Sequence, residues 1–66
     1  MQVYINDEAK TLESGTTLAA LAGQLGLDMR KVAMEVNLTI IPRSQYGETA
    51  LSEGDKIEIV QFIGGG

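Results

Sequence analysis

Thr17-Leu18-Ala19-Ala20-Leu21-Ala22-Gly23-Gln24-Leu25-Gly26-Leu27 holds the one helical pattern in this 66-residue chain, and its place between strand-like segments decides the fold. Leu18, Leu21 and Leu25 recur at helical spacing and share one face. The Thr17 hydroxyl is suited to cap the first turn. Gly26 can close the last turn in a left-handed conformation, with Leu27 folding back against it. The spacing predicts a helix over 18–25. Gly23 costs it about 1 kcal/mol relative to Ala, so packing has to hold the helix in place.

On the N-terminal side, Met1, Val3 and Ile5 alternate with Gln2, Tyr4 and Asn6, which is the period of a strand with one buried face. Asn6-Asp7-Glu8 supplies turn residues, and Lys10–Glu13 reads as the returning strand. After the helix, Val32, Met34 and Val36 mark a third strand. Thr39–Ile41 follows as a short fourth that Pro42 ends, having no N–H for the ladder. Residues 43–53 are irregular, with Tyr46 and Leu51 as anchors. Lys56–Ile63 is the last and most apolar strand, and Gly64-Gly65-Gly66 follow it.

The order ββαββ-loop-β defines an α+β fold of the β-grasp, or ubiquitin-like, class: a mixed sheet of four to five strands packed on one main helix. A helical crossover makes the first and last strands parallel neighbours at the sheet centre. A ferredoxin-like roll would need a second helix, for which only 43–53 has room. The expected division is a β-grasp domain over 1–63 and a flexible glycine tail over 64–66.

Composition removes whole classes of function. There is no Cys and no His, so disulfides, thiolate chemistry and the common zinc and haem ligand sets are excluded, and no metal site is expected. Ser14, Ser44 and Ser52 have no evident activating base, which disfavours a hydrolase. A net charge of −4, with only five Lys and Arg, argues against nucleic acid and for a basic protein partner. No segment approaches the roughly 18 apolar residues of a membrane helix, and the strand pattern starts at Met1 without a leader; a cytoplasmic protein is expected.

The terminus carries the chemistry. Glycines without a Cβ can pass through a channel too narrow for a side chain. Three extended residues reach about 10 Å, enough to place the Gly66 carboxylate in another protein's active site. An ionised carboxylate is a poor acyl donor and must be activated, most simply as a mixed anhydride with AMP. Attack by a sulfur nucleophile such as a persulfide would then lead to a C-terminal thiocarboxylate. A chain without cysteine has no thiol of its own on which to carry sulfur.

Asn6, the segment Gly15-Thr16-Thr17-Leu18, the run from Val36-Asn37 to Ile41-Pro42-Arg43, the Gly54-Asp55 turn and the ending Ile59–Gly66 together resemble the sulfur carriers of thiamine biosynthesis, over essentially the whole chain. The terminal glycines alone are shared with ubiquitin-like protein modifiers and with the small subunit of molybdopterin synthase, which stand as alternatives. Tyr46 takes a place where many members of the resembled family carry tryptophan. The resemblance implies that an E1-like adenylyltransferase activates Gly66 with ATP and Mg, and that a cysteine desulfurase or other donor supplies sulfur. Thiazole synthase then receives it. The carrier binds no cofactor, is a protein co-substrate and not an enzyme, and has no catalytic residue of its own.

On the last strand, Ile57 and Ile59 share one face and Glu58, Val60 and Phe62 the other. With the first set on the helix, Val60, Phe62 and then Ile63 form a partner-binding patch leading to the tail through Gly64 and Gly65. Glu48, Glu53, Asp55 and Glu58 are candidates for an acidic rim around it, Arg43 for a loop or partner contact. Ala19, Ala20, Gly23 and Gln24 offer a flat second surface.

Overall fold

Two tight hairpins and the helix between them build the sheet in the computed structural model, which describes residues 1–62. The elements are β1 (Gln2–Ile5), β2 (Glu8–Thr11), α1 (Leu18–Gln24), β3 (Val32–Val36), β4 (Thr39–Ile41) and β5 (Lys56–Gln61), with single 3-10 turns at Met29–Lys31 and Arg43–Gln45. Strand order is β2-β1-β5-β3-β4. β5 lies at the centre, parallel to β1 and antiparallel to β3. The mixed five-stranded sheet on one helix is the expected β-grasp arrangement. Residues 43–53 hold a 3-10 turn and no second α-helix. Ile63 and the tail Gly64, Gly65 and Gly66 lie outside the described residues, and with them the expected boundary at residue 63.

The helix behaves largely as its sequence dictates. Ala20 N–H donates to Thr17 Oγ1 at 3.1 Å, capping the first turn. Gly26 adopts φ +71°. Leu27 N–H reaches the Ala22 carbonyl and Gly26 N–H the Gly23 carbonyl, the paired bonds of a Schellman closure. The helix stops one residue short of the expected end, and that changes its buried face. Leu18, Leu21 and Ala22 are buried, whereas Leu25, at the C-cap, is 37% exposed.

Two strands differ from their expected bounds: β5 ends at Gln61, with Phe62 outside it, and the return strand lies earlier in the chain. The return strand starts at Glu8, not Lys10, and ends at Thr11. Asn6 and Asp7 sit at φ 49° and 69°, the conformation of a two-residue primed turn whose twist matches the flanking strands. Such a turn uses no third residue, so Val3 pairs with Lys10 and Ile5 with Glu8. Asn37 and Leu38, at φ 51° and 70°, repeat the device between β3 and β4.

Val3, Leu18, Leu21, Met34 and Ile57 form the most deeply buried part of the core, between the helix and one sheet face. The irregular segment closes its end. Tyr46 and Leu51 are buried as expected, and the carbonyls of Thr49 and Tyr46 accept the Leu18 and Ala19 N–H groups. Two donors that a helix start leaves unpaired are thereby satisfied.

Candidate functional site

The strand that leads to the tail is held on both sides by different means. β1 pairs with β5 only through Tyr4 with Lys56 and Ile5 with Ile57, because the chain then turns away. Asn6 occupies the next ladder position with its side chain. Ile59 N–H donates to Asn6 Oδ1 at 2.8 Å and Asn6 Nδ2 donates to the Ile59 carbonyl at 3.2 Å. The side-chain amide thus substitutes for a peptide group. On the other side β3 continues the ladder to Val32 opposite Gln61, and Phe62 N–H donates to the Lys31 carbonyl at 2.7 Å. Asn37 serves the start of β5 likewise: its Oδ1 accepts the Lys56 N–H and its Nδ2 donates to Asp55 Oδ1.

With β5 fixed, its alternation places Ile57 and Ile59 against the helix layer and turns Glu58, Val60 and Phe62 to the opposite sheet face. Val60 is 57% and Phe62 51% exposed. Both members of the expected patch that fall within the described residues are therefore available to a partner, and Ile63 lies beyond them. The patch is wider than β5. Ala33 stands beside Val60, and Ile40, opposite Glu35 on the next strand, is 71% exposed on the same face, while Leu38 in the hairpin turn is 88% exposed. Sequence reading missed Ile40 and Leu38. The signal was the pair Ile40-Ile41 in one strand, since consecutive strand residues face opposite ways and only one isoleucine can enter the core.

The acidic rim does not assemble from all four expected residues. Asp55 accepts the Ser52 N–H at 2.8 Å as well as the Asn37 amide, and Glu53 Oε1 accepts the Gln2 N–H at 3.0 Å, so both fasten turns around the start of β5. Glu48 belongs to the loop on the helix side. Glu58 alone projects from the open face of β5, and its cross-strand neighbour is Glu35, absent from the expected rim. The Arg43 side chain is exposed and its carbonyl accepts the Tyr46 N–H, a loop role. On the helix, Ala20, Gly23 and Gln24 are exposed, whereas Ala19 packs on the core.

The one ion pair among the described residues joins Arg30 to Asp28 at 3.0 Å. The Arg30 guanidinium and backbone N–H hold the Asp28 carboxyl down at about 2. No group of three or more potential metal ligands converges among these residues, and no helix is long and apolar enough to cross a membrane. The open face offers apolar contact and negative charge, which is equipment for binding.

The sequence profile of the ThiS family matches residues 3–66. The sulfur carrier protein ThiS of Escherichia coli is 35% identical over 66 residues, covering all of both chains. A thiazole synthase of Paramagnetospirillum magneticum is 52% identical over all 66 residues, which make up 20% of that protein. The chain spans about a fifth of the length of the thiazole synthases that it matches over its full extent. The crystal structure of a thiamine biosynthesis protein (ThiS) from Geobacter metallireducens superposes with a TM-score of 0.85 at 25% identity, covering all of both chains.

Proposed function

The chain belongs to the ThiS family, and from that premise we propose that it is the sulfur carrier of thiazole formation in thiamine biosynthesis, loaded at the carboxyl end of Gly66. The observation that carries the reading is its end-to-end correspondence with the Escherichia coli carrier. That correspondence favours the thiamine pathway over a molybdopterin-synthase role or a protein-modifier role.

In this reading an E1-like adenylyltransferase, using ATP and Mg, joins AMP to the Gly66 carboxylate and releases pyrophosphate. A persulfide from a cysteine desulfurase or equivalent donor attacks the acyl carbon and expels AMP. A thiol then cleaves the resulting S–S bond and leaves the thiocarboxylate. Gly64 and Gly65 supply reach, and Val60, Phe62 and Ile63 supply the grip. The carrier is a co-substrate without catalytic groups or a resident cofactor, and it works in the cytoplasm. Thiazole synthase is the acceptor's enzyme, a partner suggested by the 52% identical segment within a protein of that name.

Intact mass spectrometry tests the reading. Purified chain ending at Gly66, incubated with the cognate adenylyltransferase, Mg-ATP and a sulfur donor, exchanges one terminal oxygen for sulfur, and a chain lacking Gly66 does not. A terminus that stays unchanged while a control carrier is loaded removes the proposal. The mass of the protein isolated from its own cells shows whether the natural chain ends at Gly66.

A further inference from the structure

The open sheet face carries a row of side chains whose chemistry specifies more than an apolar partner. Glu58 on β5 stands opposite Glu35 on β3, and Glu35 stands opposite Ile40 on β4. The next row toward the tail is Val60 opposite Ala33. Glu35 thus lies between the exposed apolar groups Val60 and Ile40, with Glu58 beside it in the same row and next to Val60 along β5, on strands spaced about 4.8 Å apart.

Like charges directly opposite on neighbouring strands disfavour each other, and the fold does nothing to offset this pair. The only ion pair among the described residues is the distant Asp28–Arg30 contact. Lys56, on the same face two residues before Glu58, is not within ion-pair distance of either glutamate. Neither glutamate side chain accepts a hydrogen bond from a described residue, whereas Asp55 and Glu53 are both engaged. A partner surface that covers Val60 and Ile40 together must also cover Glu35 and meet Glu58 beside it. Doing so with apolar atoms alone would bury uncompensated charge, which costs more than the flanking contacts return.

We infer that the Glu35–Glu58 pair, framed by Val60 and Ile40, is the receptor for an arginine side chain on the thiazole synthase that takes sulfur from this carrier. Arginine fits better than lysine. Its planar fork can meet two carboxylates at once, its weakly hydrated head loses less on desolvation, and its aliphatic stem can lie along the flanking apolar groups. The inference rests on the proposed carrier function, with the synthase as its docking partner.

The test compares the wild-type chain with the Glu35→Gln/Glu58→Gln double variant in titrations against purified cognate thiazole synthase at several salt concentrations. The double variant binds about tenfold more weakly at low salt and loses most of the salt dependence, with a melting temperature equal to or above that of the wild type. Glu58→Gln alone falls between them. Equal affinity and equal salt dependence overturn the inference. So does a lowered melting temperature, which would make the pair part of the fold, or a loss confined to the adenylyltransferase, which would put the cation on another partner. Sulfur loading of the wild-type chain, read separately by intact mass, reports on the carrier function itself, so the two can fail independently. A wild-type chain that is loaded but does not bind the synthase overturns the inference alone.

Discussion

The hydroxyl of Tyr46 accepts the buried Met34 N–H at 3.1 Å and so ties the irregular segment to the middle of β3. Sequence marked Tyr46 as an aromatic anchor, but the partner is twelve residues away in the chain and has no local signature. Tyr46→Phe keeps the ring and strands the donor, which costs about 1–3 kcal/mol. In a domain of this size that lowers the melting temperature by several degrees, measured by calorimetry. Asn6 offers a sharper comparison, because it combines a positive φ with a side chain that continues the ladder. Asn6→Gly removes the two side-chain bonds to Ile59 but relieves the left-handed backbone of its Cβ, whereas Asn6→Ala loses the same bonds and keeps a Cβ there. Both lose stability in urea unfolding, Ala more than Gly. Asp28 sets a pH dependence of known sign. Its carboxyl is held at about 2 against an ordinary 3.8. Its contribution is therefore complete above about pH 4 and lost as the pH falls through 2. An NMR titration finds the Asp28 carboxyl ionised at pH 3, and Arg30→Gln returns it toward the ordinary value.

At the scale of elements, the helix and its closure were legible because their signals are local: a capping hydroxyl, an apolar spacing and a left-handed glycine. The start of β2 was not, because Asn6-Asp7 makes a two-residue primed turn without glycine and Glu8-Ala9 has little strand preference of its own. Leu25 was placed on the buried face by spacing alone. The helix ends before it, so it reaches past the core and lines a shallow pocket with Ile5, Ala9 and Lys10. The engagement of 43–53 with the helix start depends on backbone bonds between distant segments, which no side-chain pattern announces. Gly23 separates propensity from packing. A Cβ built there meets nothing within 4 Å and the backbone is helical. Gly23→Ala therefore stabilises the chain by about 1 kcal/mol. A rise in melting temperature checks this, and a fall would show that the exposed helix side is tighter than its geometry indicates.

For the whole molecule, one helix layer covers one face of a five-stranded sheet and leaves the other open, and from this the separation of fold from function follows. The alternation along β5 was enough to assign Val60 and Phe62 to the open face. Strand pairing added Ile40 and Glu35, which sequence could not bring beside them, since β3 and β5 meet only in three dimensions. Residues that hold the sheet point one way and the exposed residues proposed to meet partners point the other, so each set can be changed without the other. Phe62→Asp tests that division. Phe62 is half exposed and lies just beyond the last paired residue of β5, so the substitution removes no core contact and changes unfolding free energy by about 0.5 kcal/mol or less. An aromatic at the centre of a docking patch commonly accounts for 2 kcal/mol or more of binding, so affinity for the adenylyltransferase falls by roughly thirtyfold. Isothermal titration and urea unfolding of the same variant read the two quantities side by side. A large loss of stability would place Phe62 in the core. Unchanged affinity in a folded variant would move the docking surface away from the end of β5.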